Sequence, residues 1–375
     1  MNLKKWILLA VFLLSLLIIG AKFLMNTTIG NQIILKDYKE IATNNEELNV
    51  IFHGKQIDSD RIQQLIDILP SIQLEQQKFF PNFSLDDELN VYIIYQDEST
   101  ILPFFKESEE YENVAYYNLS NESIYLNGES DSLIDLFVHE YMHYYMHQFT
   151  KSVNVNSARL PIWFVEGLAN SFEVNVTNTL PISIGSFEVM PFGDLNKPTD
   201  ANLNTIYAQG MYGILSLIEN QGAGIIQTIL TDAQDNSFNK AFTNATSIDL
   251  TTYHQSFVHD EEMLKQLYDG IYTHPHLVIE EVENLLSYYG RINIYGTSLF
   301  ELLFEAHYSL NNEKEIIYYA ELLMKSIDSP LYLIGYAKRI SPISKTLADE
   351  MLELAFSKAT SPEEELRLKE YAKEI

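Results

Sequence analysis

The five residues His139-Glu140-Tyr141-Met142-His143 constrain the fold more than any other feature of this 375-residue sequence. Residues four apart lie on one face of an α-helix, about 6 Å apart along its axis, so both imidazoles can reach one cation. Glu140 follows the first histidine directly. In that position it lies beside the metal and can exchange a proton with a water molecule there. The motif therefore predicts a metal site on a helix running from about Ser132 to Thr150.

His147 repeats the same four-residue spacing once more. His139 and His147 are eight residues apart, about 12 Å along a helix, which is too far for both to bind one zinc ion. A site formed by His143 and His147 would place Tyr144 at the position where a base is needed. We therefore expect His147 to neighbour the site without binding the metal.

A third metal ligand is predicted in the segment Pro161–Asn170 (PIWFVEGLAN), which favours a helix from Pro161 to about Phe172. The segment carries one carboxylate, Glu166, among apolar and aromatic residues. A buried glutamate without a partner is strongly destabilising, and a metal ion is a suitable partner. Gly167 and Ala169 are small, so we expect this helix to approach the histidine helix closely. The pattern thus predicts Glu166 as the third ligand.

HEYMH followed by PIWFVEGLAN resembles the gluzincin metallopeptidases, in the peptidase-MA-like group that includes the aminopeptidase-N and glycyl-aminopeptidase relatives. The resemblance implies one zinc ion bound by His139, His143 and Glu166, with Glu140 as the catalytic base. It also implies an α+β fold, in which a thermolysin-like catalytic domain contains a small mixed sheet and the helices of the zinc site.

A second matching stretch, Ile206–Gly210 (IYAQG), resembles the Tyr-x-x-Gly helix of the same family. The resemblance implies that Tyr207 donates a hydrogen bond to the oxyanion of the reaction, and Tyr212 is the alternative. Asn170 lies one helical turn after Glu166. It is a candidate for a supporting hydrogen bond to a ligand histidine.

Substrate-binding residues are predicted in a hairpin that precedes the histidine helix. We expect its second strand to be an edge strand beside the zinc, which could pair with an extended peptide. The aminopeptidases of the family carry a G-x-M-E-N stretch here, and residues 116–125 lack it, so the sequence does not distinguish endopeptidase from aminopeptidase action. The four candidate substrate-binding residues are Ser123, Ile124, Tyr125 and Leu126.

The N-terminus has the pattern of an export signal, because Lys4 and Lys5 precede the apolar run Trp6–Ala21. Two interpretations remain open. An uncleaved segment would make a single-pass cell-membrane protein whose body lies outside the cytoplasm, in agreement with the positive-inside rule. A cleaved signal peptide would make a secreted protein.

The composition limits both the metal ligands and the partners. The chain contains no cysteine, so any metal must be held by histidine and carboxylate groups. Its formal net charge of −28 repels phosphate backbones, so nucleic acid is not expected as a partner. The expected partners are a peptide or protein substrate and, through the N-terminal segment, the membrane.

Four regions are predicted along the chain, the last of them all-helical, with helix starts at Ser341-Pro342 and Ser361-Pro362 and no evident repeat period. The first function hypothesis is an extracytoplasmic zinc metallopeptidase. The alternative is a catalytically silent surface protein that binds partners through its C-terminal helices. The regions are 1–25 (anchor or signal peptide), 26–45 (stalk), 46–262 (metallopeptidase domain) and 263–375 (helical domain).

Overall fold

The structure is a computed structural model that combines a five-stranded sheet with many helices, which confirms the α+β prediction. Two compact units are present: one contains Asn82–Ser152 and the described residues up to Gln77, and the other contains Lys78–Pro81 and the described residues from Val153 onward. The structure describes residues 38–42, 48–55, 59–85, 88–95, 115–130, 132–177, 187–199, 203–289, 298–327, 330–358 and 362–373.

The sheet of the first unit is mixed, with strand order β1-β2-β3-β5-β4. Strand β3 lies in the middle and pairs in parallel with β2 and with β5, while β1 and β4 join antiparallel on the two outer sides. The strands are β1 (Lys39–Ala42), β2 (Val50–Gly54), β3 (Leu89–Ile94), β4 (Ala115–Asn118) and β5 (Ser123–Asn127).

The expectation that Ser123, Ile124, Tyr125 and Leu126 form an edge strand is wrong. Ile124 in β5 is opposite Val91 of β3 on one side and opposite Tyr117 of β4 on the other. All four residues are buried, whereas the residues of β4 are half-buried. The more apolar strand of the hairpin therefore takes the inner position, and within the described sheet β4 is the outer strand.

Two helices complete the first unit, α1 (Ser59–Phe79) and α2 (Leu133–Ser152). Pro70 lies inside α1, which remains one helix instead of being split there. The hydroxyl of Tyr141 in α2 donates to Gln76 of α1 at 2.7 Å. The ring of Phe137 packs edge-on against Phe52 of β2 with ring centroids 5.6 Å apart, so α2 is held against one face of the sheet.

A ladder of stacked tyrosine rings joins β3, β5 and β4. Tyr92 stacks on Tyr125 with centroids 5.2 Å apart, and Tyr125 stacks on Tyr116 at 4.9 Å. Cross-strand aromatic pairs of this kind each stabilise a sheet by roughly 0.2–1 kcal/mol. The ladder therefore helps to keep β4 in register with the rest of the sheet.

The described residues of the second unit are helical except for loops and two short 3₁₀ turns, Ser157–Arg159 and Asp194–Asn196. Residues 262 and 263, where a change of domain was predicted, lie inside one continuous helix, α7. The helices are α3 (Ile162–Thr177), α4 (Leu203–Gln221), α5 (Ile225–Asp232), α6 (Phe238–Thr246), α7 (Leu250–Gly270), α8 (Pro275–Tyr289), α9 (Ser298–Ser309), α10 (Glu313–Ser326), α11 (Pro330–Ile340), α12 (Lys345–Ser357) and α13 (Pro362–Ala372).

The last five helices repeat with a constant offset that the sequence did not reveal. Helices α9, α11 and α13 begin at residues 298, 330 and 362, and α10 and α12 begin at 313 and 345, so equivalent helices start 32 residues apart. Helix α9 packs on α10, and α11 packs on α12. The described part of the C-terminal region therefore contains two successive helical hairpins, α9–α10 and α11–α12, whose helices start at a constant offset.

One of the two predicted helix starts in this region is wrong. Pro342 lies in the turn after α11, and α12 begins only at Lys345, where the Ser344 hydroxyl accepts a hydrogen bond from the backbone N–H of Leu347. Ser344 is thus the N-cap of α12, and its hydroxyl pairs with a backbone N–H of the first turn that has no partner within the helix. The start predicted at Pro362 is confirmed.

The N-terminal segment assigned to an anchor or signal peptide lies outside the described residues. Among the residues that are described, no helix combines the length and the apolar character needed to cross a bilayer.

Candidate metal centre

The two motif histidines lie on the same face of α2, as their spacing predicts. Their Nε2 atoms are 3.2 Å apart, their ring centroids are 4.8 Å apart, and both side chains are half-buried. The helix forms because buried aromatic residues such as Phe137 and Tyr141 anchor its other side. Both imidazoles therefore present a ring nitrogen to the same point.

Glu166 on α3 joins this pair. The three side chains of His139, His143 and Glu166 each offer one ligand atom, and these atoms all lie within 4.8 Å of one another. Glu166 is half-buried in a helix that is otherwise rich in buried apolar residues. The structure thus brings together the three residues that were predicted as ligands, and His147 is not a member of the group.

The donor set fits a divalent metal ion. Two nitrogen ligands at about 2.05 Å from a tetrahedral zinc ion are roughly 3.3 Å apart, close to the separation of the two Nε2 atoms. Two histidines and a carboxylate leave a fourth position open, as in catalytic zinc sites. Imidazole also suits copper, iron and nickel, so the geometry supports a metal centre without identifying the metal.

Glu140 lies beside this group, and a backbone hydrogen bond orients its side chain. The backbone N–H of Tyr117 in β4 donates to Oε2 of Glu140 at 2.6 Å. The Glu140 side chain is 8% exposed. The N–H and C=O groups of Tyr117 both face away from β5, since consecutive residues of an edge strand alternate in direction. The outer edge of β4 therefore faces Glu140.

The two tyrosines proposed for the oxyanion differ in burial. Tyr207 on α4 is half-buried, whereas Tyr212 is fully buried and packs against Phe187. Burial raises the pKa of the Tyr212 hydroxyl well above its usual range. A side chain that is fully enclosed cannot reach a substrate, so the structure favours Tyr207 over Tyr212 as a donor.

Asn170 does not bind a ligand histidine. Its Nδ2 donates to the backbone carbonyl of Tyr207 at 3.3 Å, because the face of α3 that carries Asn170 packs on α4. The neighbouring Ser171 hydroxyl is placed to bond two carbonyls, those of Gly167 and Met211. Asn170 therefore holds α4, the helix that carries Tyr207. It does not orient a metal ligand.

Gly167 lies where α3 crosses α4. A Cβ atom added at Gly167 would lie 2.2 Å from the carbonyl carbon of Gly210, and one added at Gly210 would lie 2.3 Å from the carbonyl oxygen of Trp163. The small residue after Glu166 thus permits a backbone-to-backbone crossing of α3 and α4. The helix that it accommodates is α4.

Sequence reasoning missed Tyr117 entirely and left His147 without a role. The Tyr117 hydroxyl shares a 2.8 Å hydrogen bond with Nδ1 of His147. A signal was present, because Glu140, Tyr144 and His147 lie on one helix face at spacings of four and three residues. What covers that face depends on strand order, which the local pattern does not determine.

No family model matches the sequence, and comparison with curated proteins finds no relative.

Proposed function

We propose that the chain is a zinc-dependent metallopeptidase that hydrolyses peptide bonds. One observation carries the proposal: two histidines and a glutamate place ligand atoms within 4.8 Å of one another, and Glu140 follows the first of these histidines on the same helix. When bound, the ion supplies Lewis acidity toward the scissile carbonyl and the attacking water.

Glu140 is the base in this proposal. Its Oε2 accepts the hydrogen bond from Tyr117, and no hydrogen bond from a described residue is formed to its Oε1. Oε1 can therefore accept a proton from the attacking water and later deliver it to the leaving nitrogen. The fixed Oε2 keeps the carboxylate from rotating away between these two transfers.

The substrate strand is assigned to β4 in place of β5. Because β4 is the outer strand of the described sheet and the Tyr117 N–H points away from β5, an extended peptide can pair with the Tyr117 carbonyl on that side, next to Glu140. The carboxylate of Glu122, in the turn of this hairpin, accepts hydrogen bonds from Gln148 and Lys151 and is thereby held away from the role of binding a free substrate amine. This arrangement supports binding of a peptide substrate through its backbone. It does not distinguish endopeptidase from aminopeptidase action.

Zinc content tests the metal site. We expect the full chain, purified without added metal and then offered zinc, to bind about one zinc ion. Replacing Glu166 by Ala removes the third ligand, so zinc is expected to fall to little or none after dialysis. Glu173→Ala is the matched control, since it removes a half-buried carboxylate from the same helix outside the ligand group.

Either of two results would contradict the metal site. One is a wild-type chain that binds no zinc at neutral pH. The other is a Glu166→Ala chain that holds as much zinc as the Glu173→Ala control.

Tyr207 is expected to stabilise the oxyanion. Tyr207→Phe removes the phenolic donor and keeps the ring, so kcat is expected to fall about 10²-fold while zinc content stays the same. Activity is measured on a pool of quenched fluorescent peptides. If Tyr212→Phe lowered kcat and Tyr207→Phe did not, the assignment to Tyr207 would be wrong.

The binding-scaffold function remains the second candidate, and the C-terminal hairpins favour it. Helical hairpins that recur at a constant offset stack into arrays with extended binding surfaces. On α11, Leu331 and Tyr332 are 54% and 60% exposed, and this helix face lines a pocket of ≈ 420 Å³. A chain that bound no metal would make this region the first place to look for function.

The proposed location of the protein rests on the N-terminal sequence alone. We propose that the protein acts outside the cytoplasm, anchored by the segment around Trp6–Ala21 or released after its cleavage. A peptidase placed there would meet peptide or protein substrates outside the cell.

A further inference from the structure

Tyr117 contacts three residues along one face of α2. Its backbone N–H donates to Glu140 at 2.6 Å, its ring packs edge-on against Tyr144 at 5.8 Å, and its hydroxyl shares a 2.8 Å hydrogen bond with His147. One residue of the outer strand thus bonds both the base and a histidine two helical turns away. One bond is made by the backbone of Tyr117 and the other by its hydroxyl. A hydrogen bond that holds the hydroxyl therefore also restrains the backbone N–H that bonds Glu140.

The turn next to Tyr117 is attached to the same helix. Glu122 adopts a left-handed backbone conformation with φ of 53°, and its carboxylate accepts hydrogen bonds from Gln148 at 2.9 Å and Lys151 at 2.8 Å. Burial alone would raise the pKa of Glu122, but the hydrogen bonds from Lys151 and Gln148 lower it overall. The hairpin is therefore bound to α2 at its turn and again at Tyr117.

We infer that His147 and Tyr117 are positioning residues for Glu140: His147 holds the Tyr117 side chain, and the Tyr117 N–H thereby holds the Glu140 carboxylate. The placement stands on geometry within one unit, and its catalytic consequence rests on the proposed function. His147 thus has a role in the site although it is not one of the three metal ligands. The Tyr117 N–H lies 2.6 Å from Oε2 of Glu140, and hydrogen bonds in which one partner is charged are about twice as strong as those between neutral groups.

The protonation states support a stable bond between the two side chains. Burial raises the pKa of the Tyr117 hydroxyl above its usual range, so the hydroxyl keeps its proton. Burial also lowers the pKa of His147, with a further decrease from Lys151 and an opposing increase from Glu122. The imidazole is therefore neutral at neutral pH, and either tautomer can hydrogen-bond the hydroxyl through Nδ1.

Hydrogen exchange of the Tyr117 amide tests the placement without any need for activity. In the zinc-loaded full chain we expect His147→Ala and Tyr117→Phe each to speed exchange of this amide about 10-fold, because its bond to Glu140 loosens. The double variant is expected to exchange no faster than either single variant, since both remove the same interaction. His147→Asn retains a polar group near the position of Nδ1 and is expected to restore slow exchange.

Kinetics on the pool of quenched fluorescent peptides test the consequence. A base that is held less well lowers kcat about 10-fold in His147→Ala and in Tyr117→Phe, with KM and zinc content unchanged. The matched control is Tyr116→Phe, which removes a hydroxyl from the opposite face of the same strand, where the ring stacks on Tyr125. It is expected to leave both exchange at Tyr117 and kcat unaltered.

The inference is overturned if exchange of the Tyr117 amide is the same in His147→Ala and Tyr117→Phe as in the wild type. It is overturned equally if Tyr116→Phe produces the same changes, or if either variant loses its zinc, because the pair would then serve the general stability of the strand or the metal. A zinc-loaded wild type that cleaves no peptide counts against the proposed function alone, and the exchange result still decides the placement.

Discussion

Glu140→Gln is expected to lower kcat about 10³-fold, since general acid–base catalysis contributes roughly 10²- to 10⁴-fold. Glutamine has the shape of glutamate, and its amide oxygen can still accept the hydrogen bond from the Tyr117 N–H. It cannot accept a proton at neutral pH. The substitution therefore removes the chemistry and keeps the geometry, and KM is expected to change little.

The control measurements show whether the loss is chemical. Glu140→Gln is expected to keep about one zinc ion per chain and to unfold at the wild-type temperature, because Glu140 is not one of the three ligands. Glu173→Gln, a change of the same kind on α3, is expected to keep full activity. Retention of even a tenth of the wild-type kcat in Glu140→Gln would rule out Glu140 as the base.

The metal group could be predicted because its information is local. The spacing of His139 and His143 is meaningful only on a helix, and the aromatic residues around Glu166 mark a second, mostly buried helix. Both helices form within two residues of the predicted starts. Glu166 was predicted as the third ligand because it is the one carboxylate among the apolar residues of Pro161–Asn170, and the resemblance implies the same three ligands.

The strand order could not be predicted because it is not local. The hairpin of β4 and β5 was expected, yet which strand meets β3 depends on burial against the whole sheet. Because of that error the substrate strand was predicted at Ser123–Leu126, whereas we propose it at β4, the outer strand of the described sheet. The same error also concealed Tyr117, whose backbone N–H bonds Glu140 on the outer side of β4.

Side-chain partners across helices were equally out of reach. Asn170 was assigned to a ligand histidine because it lies one helical turn after Glu166, but its side chain bonds the carbonyl of Tyr207. The 32-residue offset of the C-terminal helices was also missed. Only the helix starts keep this offset, while the helices differ in length and in the residues that form them, so the sequence shows no evident period.

The crossing of α3 and α4 leads to the largest expected effect on stability. Gly167→Ala would place its Cβ 2.2 Å from the carbonyl carbon of Gly210 and 2.3 Å from its oxygen. Both are backbone atoms in a helix, so the clash is relieved only by moving α3 and α4 apart. We expect a loss of about 3 kcal/mol, at the upper end of what overpacking of a core usually costs.

Thermal unfolding of the full chain, with and without zinc, measures this loss. Gly167→Ala is expected to lower the unfolding temperature by about 6 °C or more, at roughly 2–4 °C per kcal/mol for a unit of this size. Zinc is also expected to bind more weakly, because Glu166 precedes Gly167 and moves with α3. Gly213→Ala is the matched control on α4: its Cβ would meet only ring atoms, the nearest in Phe192 at 3.3 Å, and alanine is the better helix former by about 1 kcal/mol. An unfolding temperature for Gly167→Ala equal to that of Gly213→Ala would show that α3 and α4 do not cross at these two glycines.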